Sequence, residues 1–323
     1  MPDYCTVILD LFLLLGGFVL LIGGADWLVR GAASFARKYN VSELAIGLTI
    51  VAFGTSAPEL IVNVIATWER HPEVVFGNII GSNIFNLFLI LGIAALIRPL
   101  AVATRTVRRE IPMSLLAVVL MMVLVNDSIL WGGATILTRS DALILAALFV
   151  AFLLYVFAGR RNVLPDTNHQ KPKPLWLTVS LIVVGLGGLV LGGKLVVDSA
   201  VSIATDLNVS EKLIGLTIVA AGTSLPELAT SAVAAFRRKA DIAIGNIVGS
   251  NIFNIFFILS ISGLVRPVAY DPVLNTDVIV LIGGTIFVFA CMFIGNKMKL
   301  DRWQAALLCV VFVAYIAFLV VRK

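Results

Sequence analysis

"NVSELAIGLTIVAFGTS" occupies residues 40–56, and "NVSEKLIGLTIVAAGTS" occupies 208–224. The two stretches differ at three of seventeen positions (44/212, 45/213 and 53/221), at a constant offset of 168. The same offset carries "GNIIGSNIFN" (77–86) onto "GNIVGSNIFN" (245–254), and Arg98-Pro99 onto Arg266-Pro267. The chain is therefore an internal duplication. What it repeats is polar: each copy leads through Gly, Thr and Ser into a Pro-Glu pair, Pro58-Glu59 and Pro226-Glu227.

The surroundings of these polar residues are apolar. Of 323 residues, 60% are hydrophobic and only 13% charged, where a soluble domain carries about a quarter. With a mean hydropathy of +1.04, the chain reads as an integral membrane protein. Its net charge of +5 comes with no basic run interleaved with aromatics, so nucleic acid is not an expected partner; the lipid bilayer is. Cys5, Cys291 and Cys309 form no CxxC, and His71 and His169 sit in polar connectors. No Cys/His metal centre and no cofactor are expected. The N-terminal apolar stretch has Asp3 instead of a basic leader and is long enough to span, so it reads as a first transmembrane helix.

Cutting at charged or turn-rich points gives ten candidate spans: 8–36, 42–68, 74–97, 110–126, 140–158, 175–204, 210–236, 242–265, 277–294 and 303–321. The polar connector "GRRNVLPDTNHQKPKP" (159–174) divides them five and five. An odd number per half makes the second half enter the membrane from the opposite face. The expected fold is all-α and polytopic: ten transmembrane helices in two inverted-topology five-helix repeats, with broken helices 2, 3, 7 and 8. Residues 1–158 form the first repeat (motifs in 40–99), 159–174 a cytoplasmic linker, and 175–323 the second repeat (motifs in 208–267). Such architecture points to secondary transport at a midplane site between the repeats. Sixteen Lys and Arg fall in connectors opposite the N-terminus and six on the N-terminal side, so the positive-inside rule places both termini outside the cytoplasm.

A carboxylate inside an apolar span costs several kcal/mol unless it is paired or solvated, and so signals function. No basic residue lies near Glu59 or Glu227 in sequence. Pro58 and Pro226 have no N–H to bond the residue four back, which is Gly54 or Gly222. The break is expected to free carbonyl oxygens around 52–55. Thr55, Glu59 and Asn63 share a helix face, as do Thr223, Glu227 and Ser231; Asn78, Ser82 and Asn86 form a matching stripe, copied as Asn246, Ser250 and Asn254. Hard oxygens without thiol or imidazole suit Ca²⁺, Na⁺ or Mg²⁺. Ca²⁺ takes six to eight oxygens flexibly, whereas Mg²⁺ demands a tighter octahedron and ranks lower. The same oxygens could hold Na⁺ or two protons. Two further i, i+4 pairs, Asp26/Arg30 and Lys194/Asp198, exchange sign at the offset of 168 and read as structural ion pairs. Ser42-Glu43 and Ser210-Glu211 read as helix caps. Rival readings are an intramembrane hydrolase using the two acids as a dyad, a passive cation channel, and a duplicated scaffold without transport.

At "GTSAPE", "GSNIFN" and their copies, the sequence resembles the sodium/calcium exchanger family of the Ca²⁺/cation antiporter superfamily, in its bacterial form without a long regulatory loop. The resemblance implies a Ca²⁺/Na⁺ antiporter, not an enzyme, in a bacterial inner (plasma) membrane, working by alternating access. Ca²⁺ and Na⁺ are its transported partners, with H⁺ as the alternative counter-ion, and no obligate protein partner is implied. It also implies ligand roles: Glu59 and Glu227 as central acids, Thr55, Ser56, Thr223 and Ser224 in the broken helices, Ser82 and Ser250 as flanking serines, and Ala52 and Ala220 as carbonyl donors. Asn86 matches a central asparagine. Asn254 stands where several relatives carry Asp, which removes a third carboxylate.

Overall fold

A computed structural model describes residues 4–104, 106–126, 135–158, 173–206, 220–294 and 298–321. Nearly all of them are helical. Among the described residues, seven helices are long and apolar enough to cross a membrane: Leu9–Tyr39, Pro72–Ile97, Arg139–Ala158, Leu175–Thr205, Ala240–Val265, Pro272–Cys291 and Arg302–Val321. The bent pair Glu43–Thr55 and Ala57–Glu69 makes an eighth if taken as one span. Leu225–Phe236 is a shorter apolar helix; residues 207–219, which precede it and include Ser210-Glu211, lie outside the described residues, as does the 159–172 part of the linker. With its apolar helices, the chain is an integral membrane protein.

Burial sorts the helices. Pro72–Ile97 and Ala240–Val265 bury 72% and 89% of their most apolar windows inside the protein, against 17% for Arg302–Val321. The two "GSN" helices therefore form the centre, and the last helix turns its Val and Phe side chains outward. Leu9–Tyr39 and Leu175–Thr205 pack along one another through a seam of small residues. A β-carbon placed on Gly24 would come 2.7 Å from the Gly185 carbonyl oxygen, and one on Gly192 would come 2.7 Å from the Leu21 nitrogen. Only hydrogen at these positions lets the backbones approach so closely. A hydroxyl pair, Ser34 Oγ and Thr178 Oγ1 at 2.9 Å, closes the far end.

The breaks fall where Pro predicts them. Ser56 (φ −84, ψ 8) and Ser224 (φ −90, ψ 6) both leave helical geometry for the sparsely populated bridge region, and at the first break the axis turns by 48°. Spans 3 and 8, also expected to break, carry their irregularity differently. Their hydrogen bonding continues but widens to π turns at Phe85–Ile90 and Asn254–Ile258. A π turn adds a residue without cutting the chain. A further π turn occupies Gly47–Val51.

Each half is tied to the other at both ends. The Arg-Pro dipeptides stop their helices in extended conformation and lead into strands. β1 (Leu100–Ala101) pairs antiparallel with β4 (Lys299–Leu300), and β2 (Ile136–Leu137) pairs with β3 (Val268–Ala269). Glu43 Oε1 meets Lys239 Nζ at 2.6 Å, another link between halves, while Ser42 caps its helix by accepting from the Ala45 nitrogen.

Candidate functional site

The broken helices deliver two carboxylates to one buried place. Glu59 and Glu227 lie in the first turns of Ala57–Glu69 and Leu225–Phe236, just past the breaks. The positive end of each half-helix dipole thus falls on an acid. Both are buried, at 2% and 0% exposure, and among the described residues neither has an ion-pair partner. They lie within electrostatic reach of each other.

The contacts around them are exchanged between repeats. Ser56 Oγ donates to Glu227 Oε1 at 2.8 Å, and Ser224 Oγ donates to Glu59 Oε1 at 2.9 Å. Behind these serines stand those of the central helices. Ser56 contacts Ser250 at 3.0 Å, Ser224 contacts Ser82 at 3.2 Å, and Ser250 reaches Glu227 Oε1 at 3.4 Å. Each break therefore holds the opposite repeat's acid, so neither half contains a complete site.

The outer members of the polar stripes lock helix to helix. Asn78 donates to Asn63 Oδ1 at 2.6 Å, and Asn246 donates to Ser231 Oγ at 3.0 Å. Thr55 Oγ1 reaches Asn246 Oδ1 at 3.1 Å, whereas Thr223 Oγ1 has no partner among the described residues. At the inner end, Asn86 and Asn254 are 1% exposed and donate to Asn251 and Asn83 respectively. Sequence reasoning missed Asn83 and Asn251, which lie one position off the stripe it followed.

Among the acids, hydroxyls and amides just described, what remains unsatisfied is all oxygen. Glu59 Oε2, Glu227 Oε2, Asn86 Oδ1, Asn254 Oδ1 and Thr223 Oγ1 are buried without a hydrogen-bond partner among the described residues. Native interiors leave few polar atoms orphaned, so five on the broken and central helices need an explanation. Four of them can only accept, and the fifth is a hydroxyl that can also accept. A set of this kind suits a bare hard cation.

The Ala52 carbonyl accepts from the Ser56 nitrogen at 3.0 Å, which leaves it a second lone pair. The break at Ser56 is tight enough to keep that bond. Ala220 begins the short helix Ala220–Gly222. One expectation needs correction, the second of the two structural ion pairs. Asp26 does pair with Arg30, at 2.7 Å, and also with Arg237 at 2.5 Å. Lys194 and Asp198, by contrast, are both exposed, and no ion pair joins them. Arg237 has no counterpart there among the described residues to fix a carboxylate in place.

The family described as sodium/calcium exchanger protein matches residues 9–158 and 177–321. The chain belongs to the sodium/calcium exchanger family. It is 38% identical to the putative antiporter CaxA of Alkalimonas amylolytica, over 93% of this chain and 95% of that protein. It is 31% identical to the sodium/calcium exchanger MaX1 of Methanosarcina acetivorans, over 97% and 99%. A solved structure of the sodium-calcium exchanger NCX_Mj superposes with a TM-score of 0.83 at 32% identity, covering 96% of this chain and 99% of that one. Members of this family are transporters and not enzymes, which sets the hydrolase reading aside. Membership supports a cation/Ca²⁺ antiporter, with Ca²⁺ and Na⁺ as the implied transported ions.

Proposed function

We propose that this family member exchanges Ca²⁺ for Na⁺ across a bacterial inner membrane, with both termini on the non-cytoplasmic side, at the cage built on Glu59 and Glu227. The observation that carries the reading is the set of buried, unpartnered oxygens on the acids, on Thr223 and on the central asparagines. Two carboxylates balance one Ca²⁺, and the amide and hydroxyl oxygens raise the ligand count toward the six to eight that Ca²⁺ takes. Na⁺ uses the same hard oxygens, so the two loads compete, as exchange requires. Thr55, Ser56, Thr223, Ser224, Ser82 and Ser250 complete the cage; Ser56 and Ser224 do so by turning from the carboxylates toward the ion.

Alternating access comes from rocking of the pair Leu9–Tyr39 and Leu175–Thr205 against the buried central helices. A seam of glycines lets that pair move as one body. In vesicles, an imposed Na⁺ gradient should drive Ca²⁺ flux, and Glu59→Gln or Glu227→Gln should abolish it. Undiminished flux in both variants would remove the site assignment. A pH gradient that drives Ca²⁺ when Na⁺ cannot would replace Na⁺ with H⁺ as counter-ion.

A further inference from the structure

The inner end of the cage holds four asparagines, not two. Asn83 and Asn251 face each other across the crossing of the two central helices, at 0% and 3% exposure. Asn83 Nδ2 donates to the Asn251 backbone carbonyl at 3.3 Å, and Asn251 Nδ2 donates to the Asn83 carbonyl at 3.4 Å. A backbone carbonyl can only accept, so these bonds fix which end of each amide is which. The remaining ends are then Oδ1 atoms. Asn83 Oδ1 accepts from Asn254 Nδ2 at 2.9 Å, and Asn251 Oδ1 accepts from Asn86 Nδ2 at 3.1 Å.

That chain of bonds determines the last two atoms. With their NH₂ groups held by the clasp, Asn254 and Asn86 present Oδ1 on the other side, and both Oδ1 atoms are among the buried orphans. The turns carrying them pack on the acid-bearing helices: Phe85–Ile90 against Leu225–Phe236, and Asn254–Ile258 against Ala57–Glu69. An amide turned the other way would offer NH₂ hydrogens to a cation, which is repulsive.

We infer that Asn83 and Asn251 are positioning residues, a reciprocal clasp that sets the Asn254 and Asn86 amides so that oxygen faces the transported cation. The inference rests on the cation reading of the Glu59/Glu227 cage. It makes a demand that a packing role does not. An aspartate at 254 or 86 has oxygen at both ends, so the clasp becomes dispensable there.

The test is a double-mutant cycle on the full chain, reading Ca²⁺ affinity by calorimetry, and half-saturating Ca²⁺ and maximal rate by flux in vesicles. Asn83→Ala should raise half-saturating Ca²⁺ about ten- to a hundredfold, the usual cost of losing a group that orients a ligand, with a much smaller change in maximal rate. In an Asn254→Asp background the same substitution should cost less than about threefold, the non-additivity expected of residues in one network. Asn251→Ala with Asn86→Asp forms the mirror set. An equal penalty in both backgrounds would overturn the inference, as would failure of either aspartate variant to bind Ca²⁺. If Asn83→Ala does not fold, the mirror set decides. Loss of folding in both sets would also contradict the inference, because an orienting clasp is not what holds the fold. Should wild-type binding be indifferent to Glu59→Gln, the cage reading fails first, and that result is separate from the cycle.

Discussion

At the residue scale, each of the two buried glutamates is met by a serine hydroxyl from the opposite repeat. On binding, each serine gives up that bond and turns its oxygen to the ion. Ser56→Ala and Ser224→Ala each remove that oxygen and should weaken Ca²⁺ binding by about tenfold or more, measured by calorimetry on solubilised protein. Equal affinity in both variants would mean the serines neither hold the acids nor meet the ion. Most of this site was legible in the sequence. An acid inside an apolar span, with hydroxyls and amides at i±4, marks its helix face by spacing alone. Asn83 and Asn251 were not legible, because their role depends on where the two central helices cross. The bond to the Ala52 carbonyl was likewise hidden, since Pro58 shows that a bond to Gly54 is lost but not that the bond two residues earlier survives.

At the element scale, the broken helices place the two acids and the glycine seam sets how closely the two long helices pack. Restoring an N–H with Pro58→Ala allows a bond to the Gly54 carbonyl and favours a straighter helix. Ca²⁺ affinity should fall while the melting temperature does not, a split readable by calorimetry and thermal unfolding of one preparation. Gly24→Val places a β-carbon where the Gly185 carbonyl lies 2.7 Å away. Overpacking of this kind costs about 1–3 kcal/mol, and the variant should unfold at lower temperature and transport more slowly. Wild-type melting would show that the seam tolerates separation. The sequence announces a proline break openly. It does not announce the π turns at Phe85–Ile90 and Asn254–Ile258, because a widened hydrogen-bond register leaves no residue signature. The two strand ribbons were marked only by the repeated Arg-Pro pair, which stops a helix without naming what the chain pairs with next.

At the scale of the whole molecule, duplication explains why each repeat is incomplete. Ser56 serves Glu227, Ser224 serves Glu59, and the clasp, the ribbons and the Glu43–Lys239 pair all join one half to the other. Inverted repeats read from the offset of 168 thus become one shared polar cage read from hydrogen bonds. Symmetry in sequence is not symmetry in every contact, however. Asp26 binds two arginines, while the sign-reversed Lys194 and Asp198 stay apart and exposed. The charge distribution predicts both termini outside the cytoplasm. A reporter that is active only in the cytoplasm, fused at the C-terminus, should remain silent, and strong activity would reverse the orientation. The central claim is coupled exchange at the paired glutamates, and its most direct measurement is Ca²⁺ flux into reconstituted vesicles under a Na⁺ gradient with the pH gradient collapsed. Flux that follows the Na⁺ gradient, reverses with it and vanishes in Glu59→Gln and Glu227→Gln is the predicted result; Ca²⁺ movement indifferent to Na⁺, or intact in both variants, would contradict the account.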